Sequence, residues 1–93
     1  MKSCKQIKFK KSAQKFLESR THKEQLRLLS KIQKLPQGDH IRKMEGYESR
    51  FRLRIGDVRV IYEMYSEAQK DGEPKMVLVI LILEIGSRGD IYK

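Results

Sequence analysis

Polar and apolar residues alternate through "CKQIKFK", with Ile7 and Phe9 on one side, which predicts a first β-strand. From Ser12 the period changes. Ala13, Phe16 and Leu17 fall on one face of a helix that runs to Ser19. Thr21, followed three residues later by Glu24, is a capping box that opens a second helix. Leu26, Leu28, Leu29, Ile32 and Leu35 form its apolar stripe, and Pro36 with Gly38 ends it. Lys23, Arg27, Lys31 and Lys34 lie along another side. The link between the two helices is very short, which predicts an antiparallel pair.

Beyond Gly38 the pattern is that of strands. "IRKM" can form a short one, and "EGYES" around Gly46 reads as a turn. Phe51, Leu53 and Ile55 then alternate with Arg50, Arg52 and Arg54. Gly56-Asp57 is a tight-turn signal between two β-patterned runs. After it Val58, Val60, Tyr62 and Met64 alternate with Arg59, Ile61, Glu63 and Tyr65. A polar loop surrounds Asp71-Gly72. The run from Lys75 to Ile85 is almost unbroken in apolar residues, as expected of a central strand covered on both faces. "GSRGDIYK" leaves the sheet. The predicted architecture is α+β in two layers: an N-terminal strand, the helix pair, then a three- to four-stranded, mainly antiparallel sheet. With 93 residues, 39% of them hydrophobic, residues 1–93 are expected to form a single domain with a small core.

Charge changes the picture. The formal net charge is +9. Residues 1–54 hold 16 Lys and Arg against 5 Asp and Glu, whereas residues 55–93 hold 5 against 7. Such a surplus attracts polyanions: nucleic acid, an anionic membrane or an acidic protein. Cys4 is the one cysteine, so no intramolecular disulfide can form, and a reducing compartment is expected. It reads as a small strand residue, not a nucleophile. The start "MKSCKQIKFKK" lacks an apolar signal core, and Met76–Leu83 is too short to span a bilayer as a helix. The chain is therefore expected to be cytoplasmic, with no membrane partner.

The chemistry concentrates in "SRFRLRIGDVRVIYEMY". Side chains alternate across a strand, so Arg52 and Arg54 share a side while Phe51, Leu53 and Ile55 face the core. The turn brings Arg59 near Arg54. Glu63 is the nearest acid. A merely solvated face mixes signs and uses lysine freely, as the helices do. One-signed arginines this close are costly without an anion, and phosphate matches guanidinium bidentately. His22 and His40 lack metal-ligand spacing and read as surface or capping residues. No phosphate loop or dinucleotide fingerprint is present. No metal and no cofactor is therefore expected.

The run "KMEGYESRFRLRIGDVRVIYEM", followed by a hydrophobic strand and "IGSRGDIY", resembles the RelE/ParE superfamily of toxins. The resemblance covers nearly the whole chain and favours the RelE branch. It implies a compact toxin of a type II toxin–antitoxin system, silenced by a cognate antitoxin through which oligomers would form. It also implies a metal-independent endoribonuclease that cuts mRNA on the ribosome and inhibits translation, by 2′-hydroxyl attack giving a cyclic phosphate. By the same resemblance, Arg52 and Arg54 match positions that are lysine in some active relatives. Arg59 matches a strand arginine, Arg88 the arginine after the last strand, and Tyr92 a tyrosine that stacks on a base or handles a proton. Arg50, Arg52, Arg54, Arg59 and Tyr47 are the expected RNA-binding residues, with loop anchoring as the alternative for Tyr47. The basic helix face would contact rRNA. Arginine stays protonated and is no ordinary general base, so Tyr92, Glu63, Glu84 or the ribosomal RNA are the options for that role. A ParE-like inhibitor of DNA gyrase and a non-catalytic basic RNA-binding relative are the alternative readings.

Overall fold

The computed structural model describes residues 5–69 and 75–87. Strand β1 (Lys5–Phe9) leads into helices α1 (Lys11–Glu18) and α2 (His22–Ile32). Strands β2 (Ile41–Lys43), β3 (Arg50–Ile55), β4 (Val58–Gln69) and β5 (Lys75–Ser87) follow. They form one five-stranded sheet in the order β1-β5-β4-β3-β2. β1 runs parallel to β5, and every other pairing is antiparallel. Four strands follow the helix pair, as expected, and the first strand joins the last to make a sheet of five.

Local chemistry explains the elements. The Thr21 side chain accepts a hydrogen bond from the Glu24 backbone N–H (3.2 Å), so the expected N-cap of α2 is present. The Glu24 carboxylate pairs with Arg27 (3.5 Å). Past the end of α2, Lys5 Nζ donates to the Gln33 carbonyl (2.5 Å) and the Leu35 carbonyl (2.7 Å). A cation at a helix exit satisfies carbonyls that the helix cannot and complements its dipole. It also ties the sheet edge to the helix layer.

Both helices cover one sheet face. Ala13, Leu28, Ile32 and Leu35 pack with Leu53, Ile55, Val58, Val60, Tyr62, Ile80, Ile82 and Ile85 in one buried cluster. The β3 and β4 members are the alternate positions anticipated from the pattern. In β5 the alternation breaks. Tyr62 pairs with Ile82 but Ile61 pairs with Glu84, so Leu83 is an extra residue, a β-bulge. The bulge changes the parity of β5, letting Ile82 and Ile85 face the helices together. The Leu83 carbonyl accepts from Ser12 Oγ (3.2 Å), and the Ile82 carbonyl from the Lys10 N–H (2.9 Å). Those bonds dock the start of α1 onto the bulge.

β5 is central, as expected, but the helix cluster takes only one of its faces. On the other, Val77, Val79 and the β4 residue Ile61 are buried outside that cluster. No helix among the described residues is long and apolar enough to cross a membrane.

Tyr62 is the largest fully buried side chain, stacked on Phe51 with ring centroids 5.6 Å apart. Its hydroxyl has no hydrogen-bond partner among the described residues. Burial without a partner disfavours the phenolate and pushes the Tyr62 pKa up to about 12. A folded-state pKa above the unfolded value means full stability below about pH 10, lost as pH rises toward the folded value. Tyr62→Phe removes an unsatisfied polar atom and keeps the stack. It should raise the unfolding free energy in urea by about 1 kcal/mol at neutral pH. Its advantage should widen between about pH 10 and pH 12, where wild type alone loses this contribution. A Phe variant less stable than wild type at neutral pH would show that the hydroxyl is satisfied.

Candidate functional site

The site begins at the β3–β4 turn. Ile55 pairs with Val58, leaving Gly56 and Asp57 as a two-residue loop. Gly56 has φ +61, a value that two-residue hairpin turns beginning with glycine require at their first position. A Cβ there would also come within 2.5 Å of Arg27 Nη2, which lies against the turn from α2. With the turn fixed, the register follows: Arg54 pairs with Arg59, Arg52 with Ile61 and Arg50 with Glu63.

On the far side of β3, β2 adds Arg42 opposite Arg52. The His40 carbonyl accepts the Arg54 backbone N–H (3.0 Å), extending the pairing one step beyond β2. Two adjacent rows cross the face opposite the helices: Arg42, Arg52 and Ile61, then His40, Arg54 and Arg59. Gly86 of β5 stands next to Arg59 and adds no side chain to that row. His40, Arg42, Arg52, Arg54 and Arg59 together line a concavity of about 160 Å³. That is room for a phosphate group with some of its water. Arg54 Nε donates to the Gly56 carbonyl (3.2 Å), anchoring that guanidinium beside the turn.

Arg50 has a different environment. Arg50 Nη2 lies 2.8 Å from Glu63 Oε2, and the guanidinium sits over the Tyr47 ring, 4.2 Å from its centroid. The hydrogen bond to Glu63 is the main reason its pKa is held above the ordinary arginine value, and Glu84 adds attraction. Arg50, Ile61 and Glu84 line a separate concavity of about 310 Å³ with Lys10, Ser12 and Leu83. Farther from the turn, Lys8 pairs with Glu67 (3.9 Å). Charge is therefore sorted along the strands. Acids and their cations occupy the middle of the face, and arginines occupy the turn end.

A third concavity, of about 280 Å³, adjoins the arginine site. Arg27 and Lys31 of α2 and Lys34 just beyond it line it with Asp39 and the shared residues His40 and Arg54. The basic helix face and the hairpin arginines thus meet at one edge. No group of three or more His, Cys, Asp or Glu with the geometry of a metal site occurs among the described residues.

Searches with this sequence found no matching family model and no matching curated protein. Among solved structures, the chain is similar to a chain of the RelB-RelE antitoxin-toxin complex from Methanococcus jannaschii. The two chains share a fold. The TM-score is 0.65 at 22% identity, covering 91% of this chain and 94% of that one.

The structure brings Arg52, Arg54 and Arg59 together, as the alternation implied. Arg50 and Tyr47 stack on each other beside Glu63, apart from that group. Arg88 and Tyr92 lie outside the described residues, as does Cys4. Two lining residues were not singled out by the sequence: Arg42 and His40. The short strand "IRKM" was visible, but its pairing partner was not, so nothing placed Arg42 against Arg52.

Arg52→Ala and Arg54→Ala should each weaken binding of a short single-stranded RNA. Each should make the log–log salt slope shallower by about 0.7, one phosphate contact fewer. Arg50→Ala should weaken binding less, because Glu63 already occupies that guanidinium. Glu63→Gln should tighten binding by releasing Arg50. Equal losses for Arg50→Ala and Arg54→Ala in fluorescence anisotropy would contradict the sorting of charge described above.

Proposed function

We propose that this protein is the toxin of a type II toxin–antitoxin pair and a RelE-like endoribonuclease that cuts mRNA on the ribosome. The observation that carries the reading is the one-signed concavity of Arg42, Arg52, Arg54 and Arg59 on a sheet face that the helices leave uncovered. The shared fold supports it, because the similar chain belongs to an antitoxin-toxin complex. A cognate antitoxin is the natural partner for the basic surface of α2 and the hairpin, and the complex would assemble through it. The cytoplasm, where messages are translated, is the matching compartment.

The geometry suits attack by a ribose 2′-hydroxyl on the adjacent phosphate. That reaction gathers negative charge on the phosphorane oxygens. Guanidiniums already in place stabilise the charge without reorganising, and removing one such donor typically costs about 10²–10³ in rate. Arg52, Arg54 and Arg59 would bind and stabilise the phosphate. Arg88 and Tyr92 complete the set by resemblance, Tyr92 stacking on a base or handling a proton. The basic face of α2 would meet rRNA. The products would be a cyclic phosphate and a free 5′-hydroxyl.

Induced in cells, the protein should stop translation and create new RNA ends inside coding regions, read by primer extension. Arg54→Ala and Arg59→Ala should each slow single-turnover cleavage of ribosome-bound message by about 10²-fold or more. Intact messages accompanied by trapped DNA–gyrase complexes would move the assignment to a ParE-like gyrase inhibitor. Tight RNA binding without new ends would leave a non-catalytic RNA-binding relative.

A further inference from the structure

Among the described residues, one side chain lining the arginine concavity is not an arginine. Four of its lining residues are arginines, which remain protonated at any physiological pH. The fifth is His40. Imidazole is the side chain that ordinarily exchanges a proton between about pH 5 and 8. Glu63 is hydrogen-bonded to Arg50, and Glu84 lines the concavity on Arg50's side.

His40 is also held in an unusual way. Its backbone φ is +63, the left-handed region that a non-glycine residue adopts at a cost. The bond from the Arg54 N–H to its carbonyl fixes it against β3. A backbone outlier pinned at the rim of a charged concavity is a sign of positioning.

We infer that His40 is the proton acceptor for the 2′-hydroxyl, a catalytic residue in the arginine concavity of this protein. The inference rests on the endonuclease reading above and adds to it the base that arginine cannot supply. In the step, a neutral His40 nitrogen takes the 2′-hydroxyl proton. The 2′-oxygen electron pair forms the new bond to phosphorus. The P–O5′ bond breaks with its electrons on the 5′-oxygen, which takes a proton from water. The imidazolium then returns its proton to the hydroxide so formed, and the enzyme is restored.

Charged groups border His40 on both sides. Arg42 of β2, Arg52 and Arg54 of β3 and Arg59 of β4 border it on one side. On the other side α2 contributes Arg27 and Lys31, the chain just beyond it contributes Lys34, and the adjacent Asp39 is the one carboxylate among the described residues lining that concavity.

The test is single-turnover cleavage of a message on programmed ribosomes, from about pH 5 to about pH 8.5. The wild-type rate should climb tenfold per pH unit on the acid side and then level off. His40→Asn tolerates positive φ and stays polar but cannot take the proton. It should bind RNA as wild type does and cut about 10²–10⁴-fold more slowly, with the acid limb gone. His40→Gly, relaxed at that φ, should regain activity when imidazole is added. Thermal unfolding of both variants separates chemistry from misfolding. A folded His40→Asn protein with the wild-type rate and acid limb would overturn the role of His40 and leave the endonuclease standing. A slow His40→Asn protein that keeps the acid limb, with no imidazole rescue in His40→Gly, would also overturn it. A wild-type protein that makes no RNA ends at all would remove both readings together.

Discussion

The register of the β3–β4 hairpin is the constraint on which the arginine site depends. Gly56 and Asp57 close it in two residues, so each cross-strand pair is set from Ile55 and Val58 outward. Burial makes that register hard to change. A slip of one residue would turn Leu53, Ile55, Val58 and Val60 out to solvent and drive the arginines into the helix layer. Burying one such aliphatic side chain is worth about 1.5–3 kcal/mol, and several act together. The core therefore holds like charges beside one another on the opposite face. No attraction between the arginines is needed to assemble them.

Assembly against repulsion has chemical value. Glu63 holds Arg50 and Glu67 holds Lys8, both away from the turn. At the turn end, backbone pairing gathers Arg42, Arg52, Arg54 and Arg59 around one concavity, bordered by the basic side of α2. A phosphate entering it meets donors already in position. Under the proposed function, an acidic antitoxin segment and an RNA backbone would compete for that one surface.

Two irregularities shape the surroundings of that concavity. The bulge at Leu83 shifts the parity of β5, keeps Ile82 and Ile85 in the core and gives α1 a docking point. The left-handed backbone at His40 turns the chain into β2 and sets an imidazole at the edge of the guanidiniums. Each is a local departure from regular geometry, and each lies where the sheet meets another element. Their positions follow from packing, because a bulge or a positive φ persists only where neighbouring contacts over-determine it.

The chain's own pattern is enough for the two layers, the N-cap at Thr21, the Gly56-Asp57 turn and the segregation of Arg52, Arg54 and Arg59 from Phe51, Leu53 and Ile55. All of these rest on periodicity or on interactions between residues close in the chain. Tertiary structure decided the rest. The parallel pairing of β1 with β5 joins segments more than sixty residues apart, which no local pattern reports. The approach of Arg42 to Arg52 depends on which strand β2 chose. The separation of Arg50 from its neighbouring arginines depends on Glu63 lying directly across the hairpin, a matter of register and not of composition. His40 looked like an ordinary surface histidine because its spacing matched no motif. Only the folding of residues 38–42 against the β3 edge brought it to the arginines, since a site assembled across strands is defined by distance in space and leaves no period in the chain.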